Sequence, residues 1–133
     1  MKQLLFVLLA LPMAGCGPAH FLSNAEIPAA KKLKDVMWAQ AELADPAFKK
    51  IAAPAYTDAD WVAFMAAGQR LQLTSVKIKR DFSKGPDWNA LADHLGNSAS
   101  ELTAAAEARD AKATATALAA TRNSCRMCHK RFK

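Results

Sequence analysis

Close to the end of the 133-residue chain, Cys125, Cys128 and His129 form the pattern Cys-x-x-Cys-His. Cysteines three positions apart on a helix lie on one face, so both sulfurs are placed to bond the two vinyl groups of a single porphyrin. The histidine that follows offers an imidazole nitrogen to the iron. This is the spacing of covalent, c-type haem attachment. Two other chemistries share part of it. A thioredoxin-type redox pair expects the cysteines at the start of a helix after a strand, in an alternating strand and helix chain. A structural zinc site wants four ligands, and the remaining candidates are His20, His94 and Cys16. Neither pattern has the context it needs here, so one covalently bound haem c is the expected cofactor.

The elements that must carry this motif are helical. The chain is rich in alanine, with many Leu and Lys residues and few of the β-branched and aromatic clusters that mark strands. Its length suits one domain. Apolar residues at Ile27, Leu33, Val36, Met37 and Leu43 predict a first helix from about Ala25 to Ala44, with Asp45-Pro46 ending it. Thr57 reads as the cap of a second helix, with Asp58 and Asp60 in its first turn and a stripe from Trp61 through Phe64, Gly68, Leu71 and Ser75 to Ile78. Ser83-Lys84-Gly85-Pro86 breaks the pattern. A third helix then runs to about Arg109 along Trp88, Leu91, Leu95, Ala99, Leu102 and Ala106. Asp110 caps a fourth, whose inward stripe passes through Leu118, Thr121, Cys125, Cys128 and Phe132 with His129 beside it. Four helices with short links predict an all-α, antiparallel four-helix bundle over residues 25–133.

The third cysteine belongs to the other end. Lys2, the apolar run Leu4 to Leu11, and Pro12-Met13-Ala14-Gly15-Cys16 read as a signal peptide over residues 1–15. Small residues before Cys16 resemble a lipobox, with Met13 departing from the usual leucine. Cys16 is then a lipidation site that anchors the chain to a membrane, and residues 16–24 are a tether. The chain is expected on the periplasmic side of a bacterial envelope. Gly17 stands where an acidic residue would retain a lipoprotein at the inner membrane, which favours the outer one. The net charge of +6 falls by one when Lys2 leaves with the leader, and the cations are dispersed without interleaved aromatics, so no nucleic-acid surface is expected.

With the Cys125 to His129 motif, the closing Phe132-Lys133, the Asp110-capped alanine-rich last helix and Met37 after Val36 in the first helix, residues 25–133 resemble the class II c-type cytochromes, the cytochrome c prime family. The resemblance implies an exported monohaem bundle with His129 as axial iron ligand. In one branch of that family a methionine of the first helix is the sixth ligand and the protein carries single electrons. In the other, that position is apolar or aromatic and the five-coordinate iron binds small gases such as NO and CO. Met37 is the candidate sixth ligand. Met65, on the second helix, is expected as core filling, and Met127, between the haem cysteines, cannot reach the opposite face of the ring. The resemblance therefore favours electron transfer with redox partner proteins of the envelope. Gas binding, or service as a subunit of a larger envelope oxidoreductase, are the alternatives, and copies pairing through the first two helices are implied as well.

Other residues have simpler expected roles. His94 is expected on solvent, Trp61, Trp88 and Phe132 against haem or core, and Trp38 turned away from Met37. Arg122, Arg126, Lys130, Arg131 and Lys133 form a cationic group around the motif, serving an acidic partner, the haem propionates, or only the helix dipole. No catalytic acid, base or nucleophile stands out, and no enzyme activity is expected.

Overall fold

The computed structural model describes residues 21–133. After a 3-10 turn at Ile27–Ala29, four helices follow: α1 (Leu33–Phe48), α2 (Asp58–Asp81), α3 (Pro86–Glu107) and α4 (Ala111–Phe132). There is no strand among the described residues. The expected signal peptide of residues 1–15 and the expected lipidation site Cys16 lie outside the described residues.

Local chemistry sets most of the boundaries. Thr57 and Asp60 close a reciprocal capping box on α2: the Asp60 N–H donates to Thr57 Oγ1 at 3.2 Å, and the Thr57 N–H to Asp60 Oδ2 at 2.9 Å. That second bond is the main reason the Asp60 carboxyl is held below its ordinary pKa. Asp110 caps α4 by accepting from the Ala113 N–H at 2.9 Å. Gly85 takes a φ of 108° before Pro86 at the first turn of α3, a conformation that glycine adopts without a side-chain clash. Arg109, at φ 53°, makes the reversal from α3 to α4 in the left-handed region, and its guanidinium pairs with Asp58 at 2.8 Å.

The first helix departs from expectation at both ends. It begins at Leu33 and not near Ala25, because Ala30 is extended, with ψ at 132°, between the 3-10 turn and the helix. The turn is pinned from several sides. Ser23 donates from its N–H and hydroxyl to Glu26 Oε2 at 2.8 and 2.7 Å, and Ile27 is fully buried. On α2, Lys77 donates to the Pro28 carbonyl at 2.7 Å and Arg70 to the Asn24 side chain. At the other end α1 does not stop before Pro46 but runs on to Phe48. Proline in the last turn forfeits a single backbone bond. Ala47 is buried and Phe48 packs against the core, which offsets that loss.

The helices alternate in direction: Trp88 at the start of α3 meets Phe132 at the end of α4, and Arg109 at the end of α3 meets Asp58 at the start of α2. α2 packs most extensively on α3, then α3 on α4 and α1 on α2, whereas α1 and α4 touch at few points. The core has two parts. One, around Trp61, Phe64, Leu102 and Leu118, includes edge-to-face contacts of Tyr56 with Trp61 and Phe64 at 5.1 and 4.9 Å. The other gathers Val36, Leu71, Ile78, Trp88 and Leu95, with Met37, Cys125, Cys128 and Phe132 packed against it.

Gly68 allows the close approach of α2 to α3. A Cβ there would collide with Thr103 Oγ1 and come within 2.9 Å of the Ala99 carbonyl oxygen. Gly68→Ala is expected to destabilise the bundle by about 1–3 kcal/mol, the usual cost of overpacking. A urea titration followed by circular dichroism checks this, and an unchanged midpoint would contradict the close contact.

Candidate functional site

The last two turns of α4 carry Cys125 and Cys128 on one half-buried face, with His129 exposed beside them. Opposite, on α1, stands half-buried Met37. Because α1 and α4 hardly meet, the space between them is a cleft with two lobes, of about 540 and 560 Å³. Both are within the size range of cofactor sites. Met37, Ala41, Cys128 and His129 border both lobes.

The larger apolar wall of the first lobe comes from Leu71, Ile78, Leu91 and Leu95, which the stripes of α2 and α3 bring inward. Its rim holds Lys49, Arg122 and Arg126, with Asp45 as its single carboxylate. The second lobe is walled by Leu33, Trp88 and Phe132, the two rings meeting edge-to-face at 5.2 Å, and carries Lys34, Lys84 and Lys133 with no Asp or Glu side chain among its described lining.

The two thiols are free, with no disulfide between them. Burial pushes the Cys125 thiol up to about 11, with smaller contributions from Cys128 and Asp45, and burial also raises Cys128. A redox-active pair of the thioredoxin type has a lowered thiol pKa, so this site lacks that activation. Among the described residues no three His, Cys, Asp or Glu side chains come together to hold a metal ion by themselves.

Several residues take positions that the sequence only partly indicated. Met65 packs in the other core region, and Met127 is exposed. Trp61 lies in that same distant region, while Trp88 and Phe132 flank the cleft. Trp38 is exposed yet borders the second lobe together with Met37, under the Lys34 ammonium at 4.5 Å from its ring centroid. Of the cationic group, Arg122 and Arg126 reach the first lobe and Lys133 the second, while Arg131 pairs with Asp87. His94 is exposed as expected, but its Nδ1 lies 2.6 Å from the Ser124 hydroxyl, tying α3 to the turn before Cys125. Gln40, unnoticed in the sequence, is buried in the wall of the first lobe. Its place one helical turn after Met37 was the available signal.

The family model described as Cytochrome C' matches residues 29–133. The chain belongs to this family. As a cytochrome c′ family member it is a haem protein, with the covalent haem c that the family implies. Family members are typically periplasmic. No helix among the described residues is long and apolar enough to cross a membrane. Searches of curated proteins and of solved structures gave no match.

The raised thiol pKa values give the haem-free chain of this cytochrome c′ family member a measurable signature. Iodoacetamide is expected to label Cys128 before Cys125, and the Cys125 rate to climb about tenfold per pH unit until about pH 11. Peptide mass spectrometry of a timed labelling series reads both. Labelling of Cys125 at neutral pH as fast as in the urea-unfolded chain would contradict its burial.

Proposed function

We propose that this protein is a low-spin, class II cytochrome that carries single electrons on the periplasmic side of the envelope. In this reading Cys125 and Cys128 hold one haem through thioethers, His129 provides one axial ligand and Met37 the other. The observation that carries it is the position of Met37, which borders both lobes of the cleft with Cys128 and His129 while Met65 packs elsewhere and Met127 faces solvent.

The residues present fit the group. Two free, half-buried thiols share one face of α4, an imidazole follows them, apolar side chains from all four helices wall the space, and cations stand at its rim. Bound there, haem supplies one-electron chemistry. The chain does the rest. Leu71, Ile78, Leu91 and Leu95 would cover an occupant of the first lobe with apolar surface, and a Met37 thioether paired with His129 would raise the potential relative to harder ligands. Lys49, Arg122 and Arg126 at one rim, with Lys34, Lys84 and Lys133 at the other, offer positive charge to the haem carboxylates and to an acidic redox partner. Electron exchange of this kind requires no catalytic acid or base.

The location rests on the leader. We read residues 1–15 as a cleaved signal peptide and Cys16 as the lipidated residue that holds the chain to a membrane. Cys16→Ala is expected to move the protein from the membrane fraction to the soluble periplasm and to abolish incorporation of labelled palmitate. Periplasmic release of the wild type without label would reject the anchor.

The axial assignment is tested by optical spectra of the holoprotein, oxidised and reduced, with and without carbon monoxide. The wild type is expected to be low-spin and unreactive, and Met37→Ala to be high-spin and to bind the gas. A wild type that is already high-spin and gas-reactive would remove Met37 from the iron and make this a gas-binding protein.

A further inference from the structure

Two buried polar side chains face the first lobe, Ser124 and Gln40. Ser124 is satisfied: its hydroxyl donates to the Ala120 carbonyl at 3.1 Å, which leaves its lone pairs for His94 Nδ1 at 2.6 Å.

Gln40 is different. It is 8 % exposed and shares the wall of the lobe with Ala41, Ala44, Leu71 and Ile78. Its hydrogen bond among the described residues runs from Nε2 to Thr74 Oγ1 at 2.9 Å. The direction of that bond is dictated by α2. Thr74 spends its single proton on the carbonyls of Arg70 and Leu71, at 2.9 and 3.1 Å, so toward Gln40 it only accepts. The amide is thereby held with its nitrogen on Thr74, and its carbonyl oxygen is the end left for the cleft. That oxygen takes no hydrogen bond from a described residue, yet it is not sealed off as a buried unpaired atom, so it is free to act on what occupies the cleft.

We infer that Gln40, oriented by Thr74, tunes the cleft electrostatically and lowers the reduction potential of the haem placed there. This rests on the proposed haem site but not on Met37 being a ligand. The negative end of the amide dipole stabilises the more positive, oxidised iron, and in an apolar surrounding such a dipole acts with little screening. Gln40 is the tuning group. Thr74 is not part of the cleft wall and acts as a positioning residue through Gln40.

The test is a redox titration of the holoprotein, comparing wild type, Gln40→Leu, Thr74→Val and the double variant. Gln40→Leu is expected to shift the ratio of oxidised to reduced protein at fixed solution potential by about tenfold toward the reduced form, about 59 mV for one electron. Thr74→Val frees the amide without removing it and is expected to shift the ratio in the same direction by less. The double variant should go no further than Gln40→Leu alone, since both act through one group. A Gln40→Leu potential equal to that of the wild type overturns the inference, and additive shifts overturn the role of Thr74. If Gln40→Leu fails to load haem, Thr74→Val decides, and a wild-type potential in that variant overturns the proposal. The carbon monoxide spectrum of the wild type reports separately on Met37, so a gas-reactive iron rejects the axial assignment while the potential differences still judge Gln40.

Discussion

Arg70 and Lys77 are buried cations on α2, and each reaches off that helix for at least one partner. Arg70 donates to the Ala39 carbonyl at 3.1 Å and pairs with Glu42 at 3.2 Å on α1, besides bonding Asn24. Lys77 takes the Pro28 carbonyl and Asp81, the latter at 2.5 Å. A buried cation without such partners is strongly unfavourable, so these bonds fix where α1 and the turn before it lie. They lie against α2. With α2 close on α3 through Gly68, and α3 on α4, three of the four sides of the bundle are closed and the side between α1 and α4 stays open. The cleft is the consequence of that arrangement, and the motif on α4 faces into it.

Much of this was legible in the residues, for a physical reason that differs by element. Thr57 with Asp60, Asp110, and Pro86 after Gly85 mark helix starts by chemistry confined to a few neighbouring positions, and the second, third and fourth helices begin where those residues stand. The first helix was less legible because its ends are set by tertiary bonds. Nothing local to Pro28 or Asn24 announces that cations 49 and 46 residues later on α2 will hold them, and Pro46 is tolerated because Ala47 and Phe48 find apolar partners.

The same distinction applies to the site. Cys125, Cys128 and His129 share two turns of one helix, so their juxtaposition follows from spacing alone. That Met37 borders the same cleft was expected from the resemblance, and the structure brings it there across the bundle. Gln40 with Thr74 and His94 with Ser124 join residues on different helices and have no signature along the chain. Trp38 shows the limit of counting rotation around a helix, since a ring large enough to be exposed at one edge still borders the second lobe.

The divided core separates the packing of one end of the bundle from the cleft. Trp61, Phe64, Leu102 and Leu118, with Tyr56 against the first two, form a packed end of the bundle to which no cysteine of the motif contributes. Among the described residues, Phe48 is the partly buried side chain that packs against both core regions. That aromatic end contains the start of α2, the end of α3 and the start of α4. A substitution at Trp61, Phe64, Leu102 or Leu118 therefore alters the packing of the bundle at a position that borders neither lobe of the cleft.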